Sequence, residues 1–273
     1  MDEIEKVINE RSLSEQSQKT YRMLYLKLES NLGEIRNVDE DDIIEVINEL
    51  SNDKVSNKLS YLNIAIIIKQ HYKKGLDKLL KKRELLVSER DKQQKNITMD
   101  LPEYNDVKKY VNDLTGVKYI VNYLIFNYGV RNKDVNVFIT DDVKLTKKND
   151  EINYLLVKPN SVKWIINDYK TLVSYGNKSK LIKTKKLVEE VNKLPMNTWL
   201  LSGTDVSIAE SSLNNIVARM LYKHNDKHMN ESSYFKLNIK HLQTQPKSLK
   251  KIMEIGEMRG TDMKTIQKYY DMK

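Results

Sequence analysis

Apolar positions in the N-terminal third of the chain recur at helical spacing. The opening residues, MDEIEKVINE, are acidic and helical in pattern. Ser12-Leu-Ser-Glu-Gln starts a further helix, because a serine oxygen accepts from the free N–H groups of a first turn. Tyr21, Leu24, Tyr25 and Leu28 then mark its apolar face. Asp39 to Leu50 predicts the next helix, with Ile43, Ile44, Val46, Ile47 and Leu50 inward. Lys54 to Tyr72 predicts another, with Leu59, Leu62, Ala65 and Ile66 along one face, and Gly75 breaks it. The segment from Leu76 onward is helical and loaded with Lys78, Lys81, Lys82, Arg83 and Arg90. It loses its apolar period near Asp91-Lys-Gln-Gln-Lys, so residues 93–101 are expected to be a linker between domains 1–92 and 102–273.

Beyond Pro102 the period is first helical, over Glu103–Leu114 and Val117–Tyr128, and then changes after Gly129. Val135-Asn-Val-Phe-Ile alternates; Ile152–Val157 and Val162–Ile166 are short β-type runs joined by the turn Lys158-Pro-Asn-Ser. Lys180-Leu-Ile is a further short run. Helical spacing returns at Lys185–Lys193, Ser207–Tyr222, Glu231–Leu242 and Ser248–Glu257, with a last short helix near Thr265. The expected fold class is mainly α: a helical N-terminal domain, then a mostly helical domain holding a small antiparallel three-stranded sheet.

Composition narrows the chemistry. A chain of 273 residues suffices for two ordinary domains. It has no cysteine, which excludes disulfides, thiolate metal sites and cysteine nucleophiles. His224 and His228 are spaced to share a helix face, but no third ligand accompanies them, and no metal is expected. No apolar run approaches the roughly 18 residues of a membrane helix, and the acidic N-terminus is unlike a secretory signal. The expectation is therefore an intracellular protein without a membrane partner. A net charge of +9 favours a polyanion, and nucleic acid is the commonest one. Part of the lysine excess also follows the Lys-, Asn-, Ile- and Tyr-rich composition that AT-rich genomes produce.

Three local patterns carry candidate chemistry. Tyr128-Gly-Val-Arg131-Asn-Lys-Asp134 lies where a helix ends and a strand approaches, so Arg131 can clamp a phosphate with Asp134 placed to hold it. Asn167-Asp-Tyr-Lys170-Thr-Leu-Val-Ser places Lys170 at a strand end, where an ammonium can protonate a leaving oxygen. Arg259-Gly-Thr261-Asp-Met-Lys-Thr265-Ile-Gln-Lys-Tyr269-Tyr270 joins a glycine turn to a short helix ending in two tyrosines, and a tyrosine can attack phosphorus to give a covalent phosphotyrosine.

Together these patterns resemble the tyrosine recombinases, the phage-integrase family. Gly129-Val-Arg131-Asn-Lys-Asp134-Val looks like the family's first-arginine box, Lys170-Thr-Leu-Val-Ser is similar to its lysine-bearing hairpin segment, and Gly260 to Tyr269 looks like its final box. The N-terminal third resembles its helical, SAM-like core-binding domain, so the resemblance covers almost the whole chain. Two features depart from the family. The His-x-x-Arg box expected about thirty residues before the tyrosine is missing, and the window holds Tyr234-Phe-Lys236-Leu-Asn-Ile-Lys240-His241 instead. The final Gly-His pair is replaced by Gly260-Thr261, preceded by Arg259. An Arg-Gly-Thr box resembles divergent members from large DNA viruses and their mobile elements.

The resemblance implies a site-specific recombinase or integrase that cleaves and rejoins double-stranded DNA through a 3′-phosphotyrosyl bond. Tyr269 would be the nucleophile, favoured over Tyr270 by its spacing from Thr265. Arg131 and Arg259 would bind the scissile phosphate, Lys170 would be the acid, Thr261 would replace a histidine hydrogen bond, and Lys236, Lys240 or His241 would supply a further cation. Lys78, Lys81, Lys82, Arg83 and Arg90 would contact DNA. No cofactor is implied. A homotetramer on two DNA sites is, as is a location at DNA in a host cytoplasm, viral factory or nucleus. The alternatives are a type IB topoisomerase or resolvase, and a non-catalytic DNA-binding protein derived from a recombinase.

Overall fold

The computed structural model describes residues 2–270 apart from 12, 14 and 247, and the side chains among them other than those of 2, 16, 94, 95, 97–99 and 268–270. The chain divides into two compact units, Met1–Asn96 and Ile97–Lys273.

The first unit is helical: α1 (Asp2–Asn9), α2 (Glu15–Leu32), α3 (Glu40–Leu50), α4 (Val55–His71) and α5 (Asp77–Met99). Ser12, expected to start a helix, lies outside the described residues, and α2 begins at Glu15. Asp39 caps α3 by accepting from the Asp41 N–H at 2.9 Å. Ile4, Leu28, Ile43, Leu62 and Ala65 are fully buried and form the centre of this unit's core. Burying such side chains stabilises by roughly 1.5–3 kcal/mol each for the larger ones. Leu79 and Leu86, two turns apart on α5, join that core. The expected linker 93–101 is helical through Met99, and the division between the two units, after Asn96, falls within it. Lys and Gln are good helix formers, so losing the apolar stripe there removes burial without ending the helix.

The second unit opens with α6 (Tyr104–Asp113) and α7 (Gly116–Tyr128), then a 3₁₀ turn over Asn132–Val135. It continues β1 (Val137–Thr140), α8 (Val143–Lys148), β2 (Asn153–Lys158), β3 (Ser161–Ile166), α9 (Leu172–Tyr175), β4 (Lys178–Ile182) and α10 (Lys185–Asn192). It closes with β5 (Thr198–Trp199), α11 (Glu210–Met220), β6 (Lys223–His224), β7 (Lys227–His228), α12 (Glu231–Gln243), α13 (Leu249–Arg259) and α14 (Met263–Tyr270).

The chain is thus mainly helical with a small sheet, but that sheet differs from the expected three antiparallel strands. It is five-stranded and mixed, in the order β4-β3-β2-β1-β5. β2, β3 and β4 are antiparallel neighbours; β1 adds parallel to β2, with Ile139 opposite Leu155, and β5 adds antiparallel to β1. The short helix α8 makes the crossover that a parallel pair requires. Trp164 of β3 is fully buried, in one core with Ile120 and Leu124 of α7. Buried Asn153 binds the end of β3 back to the start of β2: its Oδ1 accepts from the N–H groups of Asn167 and Asp168, each at 2.8 Å.

Two other sequence expectations change. α11 starts at Glu210 rather than Ser207, whose hydroxyl accepts from the Asn136 amide at 3.1 Å. His224 and His228 share no helix face; they lie in the β6–β7 hairpin, whose turn residues Asn225 and Asp226 both have positive φ, at 46° and 59°. No group of three or more potential ligands among the described residues is arranged to hold a metal ion. No helix among the described residues is long and apolar enough to cross a membrane.

Candidate functional site

Two left-handed glycines bring the first and last sequence patterns together. Gly129 ends α7 at φ 63°, its N–H bonded to the Ile125 carbonyl. Gly260 ends α13 at φ 67°; its N–H bonds Glu257 and the Thr261 N–H bonds Gly256, a double closure that satisfies helix-end carbonyls. A Cβ at Gly129 would lie 2.7 Å from both Ile255 and Phe235, so the end of α7 sits hard against α12 and α13. Arg131 follows the first glycine by two residues and Arg259 precedes the second by one.

The two arginines meet at that contact. The Arg131 guanidinium donates to the main-chain carbonyl of Arg259. Arg259 is buried, with 5% exposure, and its side chain points back across the same seam. Its Nη1 donates to the carbonyls of Gly129 at 2.8 Å and Val130 at 3.3 Å. Its Nη2 reaches the Ser232 hydroxyl at 2.9 Å and Glu231 Oε1 at 3.3 Å. The other Glu231 oxygen accepts from the Asn132 N–H. A cation at the carbonyl end of α7 is favoured by the helix dipole as well as by these bonds.

Asp134 holds Arg131 differently from the expected side-chain clamp. It is fully buried, and Oδ2 accepts from the main-chain N–H of Arg131 at 2.8 Å, closing the 3₁₀ turn. Burial pushes its carboxyl up to about 6, opposed by the N–H and guanidinium of Arg131. Glu231 raises it further and Arg259 lowers it, so all four groups share one electrostatic neighbourhood.

The lysine that joins this neighbourhood is Lys178, the first residue of β4. Its Nζ lies 4.1 Å from the ring centre of Tyr169 and 4.8 Å from that of Tyr175, and donates to the Glu257 carbonyl. Burial holds its ammonium below the ordinary lysine range; Asp134 acts against that and Arg131 adds to it. Thr171 fastens the same β3–β4 connection to α13, and a Cβ at Gly260 would lie 1.8 Å from its Oγ1. Lys170, the lysine the local pattern singled out, is exposed on that connection. The sequence pattern predicts this strand from Lys180, whereas β4 begins two residues earlier, at Lys178. The alternation Lys178, Lys180, Ile182 on the less exposed face of β4 is the signal that finds it.

Lys236, Thr261, Tyr269 and Tyr270 lie on α12, on the turn after α13 and on α14. Lys236 is buried on α12, one turn beyond Ser232, and burial lowers its ammonium pKa. Thr261 closes α13 through its main chain, as described above. α14 packs on α12 and α13 through Ile266, next to Phe235, Ile239 and Ile255. A Cβ at Gly256 would lie 2.7 Å from Ile266, so the two helices approach closely. Tyr269 and Tyr270 close α14, and their side chains lie outside the described residues.

On α5 of the first unit, Lys78 is ion-paired with Asp41, Arg83 donates to Asn63 at 2.9 Å and Arg90 to Asp91 at 3.2 Å. Lys81 is exposed and Lys82 half-buried. No protein-family model matches the chain, and no curated protein is significantly similar to it.

Proposed function

We propose that the chain breaks and rejoins DNA by the tyrosine recombinase reaction, with Tyr269 as nucleophile. One observation carries the reading: Arg131 and Lys178 both donate to carbonyls in the last turn of α13, whose final residue, Arg259, returns its guanidinium to the end of α7, and α14, which bears Tyr269, packs on α13. Converging cations suit a phosphodiester whose non-bridging oxygens gain charge in the transition state. In the proposed step the Tyr269 oxygen bonds to phosphorus as its phenol proton passes to solvent water. The bond from phosphorus to the 5′ oxygen breaks, and the Lys178 ammonium protonates that oxygen. A 5′-hydroxyl from a partner strand reverses the step. Lys178 replaces Lys170 in this role because burial lowers its pKa, which makes its ammonium a better acid. Site-specific recombination or integration by a homotetramer on two sites extends the same reading, with double-stranded DNA as partner and the intracellular location that DNA implies.

The test is a nicked duplex that loses a short strand on cleavage and so traps the intermediate. The expected outcome is a covalent protein–DNA adduct that maps to Tyr269 by peptide mass and disappears in Tyr269→Phe but persists in Tyr270→Phe. Relaxation of supercoils without site preference points instead to a topoisomerase or resolvase. The burial of Arg259 favours a second reading, a DNA-binding protein without cleavage. Binding with no adduct supports that reading and overturns the first.

A further inference from the structure

We infer that Glu231 is an internal counter-ion that occupies the phosphate position in the DNA-free protein and is displaced when DNA binds. The inference deepens the proposed function and rests on it for the identity of the anion.

Glu231 is the first residue of α12, and its two oxygens bridge the Asn132 N–H and Nη2 of Arg259, the latter at 3.3 Å. A main-chain N–H beside a guanidinium and the Ser232 hydroxyl is a donor set for a tetrahedral anion as much as for a carboxylate. Arg131, two residues after Gly129, sits at the same seam. The pair is unequally enclosed: the Arg259 side chain is 6% exposed and that of Glu231 19%. The arginine is therefore fixed by four acceptors, whereas the carboxylate has an opening to solvent. Rotation of Glu231 outward would leave Asn132, Arg259 and Ser232 facing a vacated anion position. A phosphate arriving there exchanges one charge-assisted contact for another, so Arg259 is never left as a buried unpaired cation. Glu231 thus makes the site reject weak anions and admit one that engages Arg131 as well.

The experiment measures anion affinity separately from cleavage. Full-length protein and Glu231→Gln are titrated with inorganic phosphate and with a mixed-sequence duplex, the first by calorimetry and the second by fluorescence anisotropy. Glutamine keeps an acceptor for the Asn132 N–H. The expected result is tighter binding of both ligands by the variant, by about fivefold, as for removal of one repelling charge. The gain should vanish in Glu231→Gln/Arg259→Met. Unchanged or weaker phosphate binding by a folded Glu231→Gln overturns the inference. If that variant does not fold, the wild-type protein decides the matter by NMR. The Asn132 amide should shift on phosphate saturation as it loses its carboxylate acceptor, and an unmoved resonance overturns the inference. A gain in phosphate affinity without any Tyr269 adduct would leave the counter-ion standing and remove the cleavage reading; the reverse result would do the opposite.

Discussion

The guanidinium of Arg131 and the main-chain carbonyl of Arg259 are hydrogen-bonded across 128 residues of sequence. The bond ties the turn after α7 to the end of α13, so the two arginines form one structural unit. Arg131 is the half-buried member and Arg259 the buried one. Direct phosphate contact is therefore expected first from Arg131.

Arg131→Ala should lower the rate of adduct formation on the nicked duplex by about 10²–10³-fold, the size of losing one transition-state donor. Arg131→Lys should recover little, since an ammonium lacks the planar fork. Single-turnover gel kinetics measure both. Near-normal rates in the alanine variant would remove Arg131 from the site.

Lys178→Ala should slow cleavage by about 10²–10⁴-fold, and Lys170→Ala should leave it near wild type. A substrate whose leaving 5′ oxygen is replaced by sulfur needs no proton to depart. Lys178→Ala should cleave it at nearly the wild-type rate. Failure of that rescue would make Lys178 a packing residue instead of an acid.

Gly260→Ala should destabilise the second unit by more than about 2 kcal/mol, because the left-handed backbone disfavours a side chain and the new Cβ meets Thr171 Oγ1. Pairing it with Thr171→Ala should restore part of the loss, since the hydroxyl is the closest atom. Urea unfolding of the four proteins in the cycle gives the coupling. Additive effects would contradict the contact.

Asp134 gives a pH signature. Its native carboxyl is pushed up to about 6 from an ordinary 3.8, so between those values the folded protein binds the extra proton. Stability from this group is fully present at low pH and is lost as pH rises toward and through 6. Asp134→Asn, which keeps an acceptor for the Arg131 N–H, should gain on the wild type by on the order of 2 kcal/mol between pH 4 and pH 7. A stability difference independent of pH would show that Asp134 titrates normally.

On α5, Lys81→Ala should weaken duplex binding and lower the slope of log affinity against log salt by about 1. Lys78→Ala should change that slope less, because its ammonium is already paired with Asp41. Anisotropy at several salt concentrations distinguishes them. Equal slopes for both variants would mean that α5 does not follow the phosphate backbone.

The long helices were legible because their burial repeats. Ile43 and Ile47 of α3, and Leu59 and Leu62 of α4, are buried where the period put them. Shorter elements left no period to find: α8 spans Val143–Lys148 and β5 only Thr198–Trp199. The parallel β1–β2 pairing is a tertiary choice that no local pattern encodes. Residues 93–99 show the opposite case: propensity sustains a helix there without an apolar stripe, so the lost period marked the division after Asn96 but not the end of α5. In the site, Arg131, Asp134 and Arg259 were visible because each neighbours a glycine or a turn. The partnership of Arg259 with Glu231 and Ser232 was invisible, because α12 and α13 meet only in the folded unit.

The link between Arg131 and Arg259 also fixes an order of events during synthesis. A nascent chain that has exposed α7, the sheet and even α12 still lacks Arg259, the partner of the Arg131 side chain, and the Gly260 turn that seats the β3–β4 connection. Closing so long a loop is slow compared with forming local helices. Prematurely terminated products that stop short of α13 therefore lack Ile252, Ile255 and Ile266 of the core beside α12, have no assembled cluster of cations, and lack Tyr269 as well.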